Sequence, residues 1–128
     1  MDADALCCQE LYRQVLAIWP DDTFARESLV DLLRAQERWP ELVAEFTEAT
    51  RAEEGNLWFD WSRSLDDPAE YILVEAFRDS EAGSAHVSSD HFKTAMRELP
   101  QALAATPRII SQTLEATDWS KMGEMLVD

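Results

Sequence analysis

Two histidines and a group of aromatic residues hold most of the chemistry this chain offers. His86 and His91 lie five residues apart, on either side of Ser88-Ser89. An imidazole changes charge near neutral pH, so a histidine lining a pocket can hydrogen-bond or deprotonate a phenolic group. The plainer reading is equally open: His91 caps or packs at a helix start and His86 faces solvent. Their spacing across a loop signal does not make the i, i+4 pair of a helical metal site, and the chain has no HExxH. Cys7 and Cys8 are adjacent and far from both histidines in sequence, poorly placed to bond each other or to bind a metal alone. No metal site is expected.

Residues 57–63 (LWFDWSR) alternate, with Leu57, Phe59 and Trp61 on one face and Trp58, Asp60 and Ser62 on the other. Ordinary sheet core explains this pattern. So does an aromatic-walled pocket for a flat, mostly apolar ligand, with Asn56 and Asp60 supplying polar groups. Asn56 equally suits a turn after Gly55. Glu75 sits among apolar strand residues and calls for a partner, Arg63 or Arg78, or a place at an open rim. Arg51, Glu53 and Glu54 read as a solvated helix end, and Asp66-Asp67 as a turn. The glycines at 55, 83 and 123 form no phosphate loop, and there is no GxSxG elbow.

The elements that must position these residues follow from periodicity. Leu11, Val15 and Ile18 mark a first helix over 3–19. Pro20 to Thr23 stops it and caps a second over 23–36, carrying Ala25, Leu29, Leu32 and Leu33. A third helix starts near Trp39-Pro40, where proline suits a first turn, and ends before Gly55. Two strands follow, 57–63 and 70–77, joined by the Leu65 to Pro68 turn and therefore antiparallel. In the second strand Tyr71, Leu73 and Phe77 share a face with Glu75. Asp79 caps a short helix over 80–87. A further helix runs from Ser89-Asp90 to about 104, with Phe92, Met96, Leu99 and Leu103 on its core face. Residues 108–115 (RIISQTLE) read as a third strand and 122–127 as a short fourth or a packing tail. This is an α+β layout with helices on one face of an antiparallel sheet.

The chain's 128 residues suffice for one domain with a core, or a small domain plus an appendage. Acidic residues outnumber basic ones 26 to 11, a formal charge of −15 that repels phosphate backbones and argues against nucleic-acid binding. No apolar run reaches membrane-spanning length, and the acidic start MDADALCCQE lacks the basic opening of a secretory signal. A cytoplasmic location is the expectation.

The runs ELVAEFTEATRAEEGNLWFDWSRSLDDPAEYILVEAFRD, AHVSSDHFKTAMRELPQAL and PRII, with the order glycine turn, aromatic strand, DDP turn, LVE strand and HxxSxHF, resemble the antibiotic biosynthesis monooxygenase family, which includes small quinol monooxygenases. The resemblance spans about residues 39–127. It implies a ferredoxin-like α+β fold forming a dimeric α/β barrel, with a pocket between sheet and helices in each protomer. It implies oxygenation of quinol or polyphenolic aromatic substrates by O2 without metal, flavin or other cofactor, in a homodimer. Carried onto this chain, it marks His86 and His91 as catalytic and Asn56, Trp58 and Phe92 as pocket residues. The family's first strand is missing. Residues 1–38 read as helix instead, and ELYRQVLAIWPDDTFARESLVDLLRAQERWPEL resembles a tetratricopeptide-type helix pair. The expected organisation is a helical segment over 1–38 followed by an α+β domain over 39–128. A non-catalytic binding or scaffold protein of the same fold, or a helical interaction module, are the alternatives.

Overall fold

The computed structural model describes residues 3–127, with side chains described from Glu10 onward except at Ala35. The side chains of Cys7 and Cys8 therefore lie outside the described residues.

The N-terminal segment is helical, as its periodicity predicts. Helix α1 (Ala3–Ile18) packs on α2 (Thr23–Arg51). The corner between them is held locally: the Asp22 carboxylate accepts from the Ala25 N–H at 2.7 Å, and Arg26 donates to the Pro20 carbonyl at 2.6 Å. The three helices expected before Gly55 are two, because α2 runs straight through Pro40. A proline removes one helical hydrogen bond and crowds the preceding turn. Here Trp39, Leu42 and Val43, on both sides of the proline, pack against the core. The Trp39 ring also meets Trp61 and Tyr71 at 6.5 and 5.9 Å. Tertiary packing thus outweighs a local preference to start a helix at this point.

Strands β1 (Asn56–Arg63) and β2 (Tyr71–Phe77) pair antiparallel, with Phe59 opposite Glu75 and Trp61 opposite Leu73. The turn between them is held as its residues suggest. The Ser64 hydroxyl accepts from the Asp66 and Asp67 N–H groups, and the Asp67 carboxylate accepts from the Ala69 N–H. The inner face carries Phe59, Trp61 and Leu73. The outer face carries Trp58, Asp60, Ile72 and Val74. An irregularity in register between Asn56 and Trp58 leaves Leu57 half exposed rather than inward beside Phe59.

The core sits between α2, the inner sheet face and the last helix. Phe46, Phe59, Ala95 and Leu99 are buried at its centre. A polar link crosses its edge: the Trp61 indole N–H donates to the Thr47 hydroxyl at 2.9 Å, which donates to the Val43 carbonyl at 2.6 Å. Helix α3 (Ser80–Ser88) and helix α4 (Asp90–Glu98) complete the layer. α4 ends earlier than expected, passing at Leu99-Pro100 into a 3₁₀ turn over Leu99–Ala102. Ala95, not Met96, lies on its buried stripe, in line with Phe92 and Leu99 at helical spacing.

The expected ferredoxin-like, dimeric α/β-barrel architecture is not what the chain forms. Its sheet has two strands and is open. Residues 108–115 form no strand, and 122–127 hold only a single 3₁₀ turn, Gly123–Met125. Two strands cannot close a barrel. The physical reason lies in both tails of the fold. The segment where a first strand would stand is α1. In the expected third strand the adjacent Ile109 and Ile110 would point to opposite faces, so neither face becomes continuously apolar, and both side chains are exposed. The fold is a mixed α+β layer built on one hairpin.

Candidate functional site

The site is assembled by the turn between α2 and β1. Arg51, at the end of α2, donates to the Phe59 carbonyl at 3.0 Å and to the Asp60 carboxylate at 3.1 Å, fastening the helix end to the strand. The Glu53 N–H bonds the Thr50 carbonyl, the Asn56 N–H bonds the Glu53 carbonyl, and the Arg78 N–H bonds the Gly55 carbonyl at 2.8 Å. Gly55 lies directly against α3: a Cβ there would fall well inside van der Waals distance of the Ala82 Cβ. This close approach brings Glu53 to the histidines. Gly55→Ala is therefore expected to destabilise the fold by about 1–3 kcal/mol, the usual cost of overpacking. Adding Ala82→Gly should recover most of the loss, as read by urea denaturation. A double variant no more stable than Gly55→Ala would show that the contact is not the cause.

The other side of the site is the corner between α3 and α4. Asp79 caps α3, accepting from the Ala82 N–H at 2.8 Å. That backbone bond, and next the bond from Arg78, hold its carboxyl below the ordinary value. Ser89 caps α4. Its hydroxyl donates to the His86 carbonyl at 2.6 Å and accepts from the Phe92 N–H at 3.2 Å. One serine thus fixes the angle between the helix that carries His86 and the helix that carries His91.

The two imidazoles converge on a single carboxylate oxygen. Glu53 Oε1 lies 2.7 Å from His86 Nδ1 and 2.5 Å from His91 Nε2. His86 is 2% exposed and sits among Phe46, Phe59, Phe77 and Phe92, with ring centroids 5.8, 6.2, 4.7 and 5.1 Å away. The side chains of Glu53 and His91 retain 17% and 27% exposure, so the cluster opens on the His91 side. An ionised carboxylate only accepts hydrogen bonds. Each ring must then present an N–H to it, at Nδ1 of His86 and at Nε2 of His91, an assignment that follows from these partners. His91 in its neutral form keeps its lone pair on Nδ1, where it can act as a base. The three donor atoms lie within 4.8 Å of one another, close enough to hold a metal ion.

Glu75 is the neighbouring charge. Partial desolvation raises its carboxyl above the ordinary value, with His86 opposing and the Glu53 carboxylate adding to the rise. Neither expected arginine pairs with it. Arg63 donates to the Tyr71 hydroxyl at 2.7 Å, and Arg78 pairs with Asp79 at 3.1 Å and Glu54 at 3.9 Å. A raised native pKa means that folding favours the protonated form. The contribution of Glu75 is then most favourable below the unfolded value, 4.5, and is lost as pH rises through the higher native value. Glu75→Gln should thus leave the chain relatively more stable than wild type at pH 8 than at pH 4. Parallel denaturation curves at the two pH values would contradict this.

His86, His91 and Phe92, expected from the sequence, come together here. Trp58 and Asn56 do not join them. Trp58 lies on the outer face of the hairpin, where the Trp119 ring meets it at 5.7 Å. Its indole N–H is buried and has no hydrogen-bond partner among the described residues. Asn56 donates its amide to the Trp58 and Ala76 carbonyls at 3.0 and 3.3 Å, bridging the irregular start of the sheet. Sequence reasoning missed Glu53, read as part of a solvated helix end, and the bridging role of Ser89. Glu53 is 33 residues from His86, and no spacing rule links them. The one hint was its place just before the glycine turn.

An open hollow of about 350 Å³ lies beside the cluster, lined by Glu53, Gly55, Arg78, Ala82 and Ser89 among others. A larger one, about 800 Å³, lies where Tyr12, Arg34, Arg38 and Glu98 meet, and neither hollow has a histidine in its lining. The smaller hollow reaches the cluster through Glu53 alone. No helix among the described residues is long and apolar enough to cross a membrane.

No curated protein and no solved structure matches the chain. The family model described as antibiotic biosynthesis monooxygenase matches residues 34–98, a span that holds the hairpin and all three members of the Glu53–His86–His91 cluster. On that match over half its length, the chain belongs to the antibiotic biosynthesis monooxygenase family.

Proposed function

We propose that this protein is a cofactor-independent monooxygenase-like enzyme that oxidises quinol or polyphenolic aromatic substrates with O2, its partners being that small aromatic molecule and a second copy of the chain. Family membership supplies the reaction class. The observation that carries the reading is the Glu53–His91 pair, a partly exposed imidazole held by a carboxylate through Nε2 so that Nδ1 is free to take a proton. A phenolic hydroxyl docked beside His91 gives its proton to Nδ1. The resulting anion is electron-rich enough to pass an electron to dioxygen, and the protein's work is to hold the ring and stabilise that anion. Phe92, partly exposed beside His91, offers the apolar surface against which a flat ring would lie, while His86 stays buried behind it and Asn56 and Trp58, expected to line the pocket, have no part in this reading. In this reading the helical segment over 1–38 is an N-terminal extension of the α+β domain over 39–128, continuous with it through α2.

Oxygen uptake by the chelator-treated protein, with a panel of hydroquinones and polycyclic phenols and no added cofactor, tests the proposal. Heat-denatured protein controls for autoxidation. Saturable uptake above that control is expected; uptake equal to the control contradicts it. One observation favours a second reading, a non-catalytic binding or scaffold protein: the hollow beside the cluster has neither histidine in its lining. A folded chain that binds these phenols without consuming oxygen would select it.

A further inference from the structure

We propose that Glu53, His86 and His91 form a binding site for a divalent first-row transition-metal ion, with two imidazole nitrogens and one carboxylate oxygen as ligands. The proposal goes beyond the metal-free oxidation proposed above and does not depend on it.

The three donors come from three elements: the α2–β1 turn, the end of α3 and the start of α4. They meet because Gly55 admits α3 and Ser89 sets the corner, not because of any local sequence spacing. For a tetrahedral ion with bonds of about 2.0 Å, ligand atoms sit about 3.3 Å apart. Glu53 Oε1 is already 2.7 and 2.5 Å from the two nitrogens. An ion would take the place of the two hydrogens now shared with Oε1, and each neutral ring would shift its single proton to the opposite nitrogen, Nε2 of His86 and Nδ1 of His91. The carboxylate would withdraw by less than about 1 Å to reach that spacing. His86 is held rigidly by the four phenylalanines around it, so little ordering is needed on binding.

Two imidazoles and a carboxylate suit zinc, iron or cobalt, whereas magnesium and calcium prefer all-oxygen sets. Three protein ligands leave at least one position for water, the pattern of open rather than purely structural sites. The net charge of −15 raises the local concentration of cations. Metal and base chemistry exclude each other here. With an ion on Nε2, the neutral His91 ring carries its proton on Nδ1 and cannot accept another.

The test is titration of the chelator-treated full chain with Co(II), followed by visible absorption, with Zn(II) competition and calorimetry for affinity. One cobalt per chain is expected, with d–d bands of a low-coordinate site and no thiolate charge-transfer band. His91→Ala and Glu53→Gln, each checked for folding by circular dichroism, should weaken zinc binding by more than roughly 100-fold, beyond what loss of a supporting residue costs. A Cys7→Ser/Cys8→Ser chain should bind as wild type does. No binding, binding unchanged in both ligand variants, or binding lost with the cysteines would each overturn the proposal. Oxygen uptake is read separately. An inactive protein that still binds one cobalt through these three side chains overturns the oxygenase reading and supports this one.

Discussion

His91→Ala is expected to lower cofactor-free oxygen uptake by roughly 10²–10⁴-fold, the usual worth of a positioned general base. The fold should survive, because the His91 side chain is partly exposed and its one described hydrogen bond is to Glu53. Glu53→Gln makes the complementary case. The amide oxygen can take the place of Oε1 and still accept from both imidazoles, but as a neutral acceptor. It no longer carries the charge that strengthens the bond to His91 Nε2–H and raises the basicity of Nδ1. Turnover should fall while the Michaelis constant moves little, since Glu53 acts on the base and not on the bound ring. Glu53→Ala should be worse for stability. It leaves the buried His86 Nδ1–H without an acceptor, at a cost of about 1–3 kcal/mol. Steady-state oxygen consumption and urea denaturation separate the two effects. An unchanged rate in His91→Ala would remove His91 from the chemistry.

Phe59→Ala is expected to cost about 3–5 kcal/mol, the range for truncating a buried aromatic side chain. Phe59 is 1% exposed and lies at the junction of the fold, with ring centroids 5.2 Å from Phe46, 6.1 Å from Trp61 and 6.2 Å from His86. Among the described residues, four form the buried centre of this core. A small domain has about 5–15 kcal/mol in total, so the loss takes a large share of it. Much of the population should lose near-ultraviolet circular dichroism at 37 °C, and the Glu53–His86–His91 geometry with it, because Phe59 backs the His86 ring. Leu57, two residues earlier and half exposed, is the internal control: Leu57→Ala should stay within about 0.5 kcal/mol of wild type. Equal denaturation midpoints for the two variants would contradict the placement of the core.

The hairpin was legible in the sequence because its determinants are local. Alternation places Phe59 and Trp61 on one face, the Ser64–Asp67 turn has its own side-chain acceptors, and Asp79 and Ser89 announce the helices they cap. Helical periodicity before the hairpin was equally plain, but the path through Pro40 was not. That is decided by Trp39 meeting Tyr71, a contact across 32 positions that no window contains. The barrel expected from the family resemblance failed for a related reason. A closed sheet is a property of several distant segments together, and here the N-terminal one is helix while Ile109 and Ile110 lack a shared face. Within the site, the HxxSxHF pattern marked both histidines and Phe92. The carboxylate that joins the histidines stayed hidden, because an acidic residue at a helix end usually meets water, and only the close packing of Gly55 on Ala82 takes Glu53 out of it.

One carboxylate oxygen, Glu53 Oε1, serves both imidazoles. A long-range ¹H–¹⁵N correlation spectrum of the histidine rings, recorded on chelator-treated protein and on Glu53→Gln, tests this directly. A hydrogen on Nδ1 of His86 and on Nε2 of His91 is expected, both shifted in the variant. A His86 ring protonated only at Nε2, or a His91 ring protonated only at Nδ1, would contradict it.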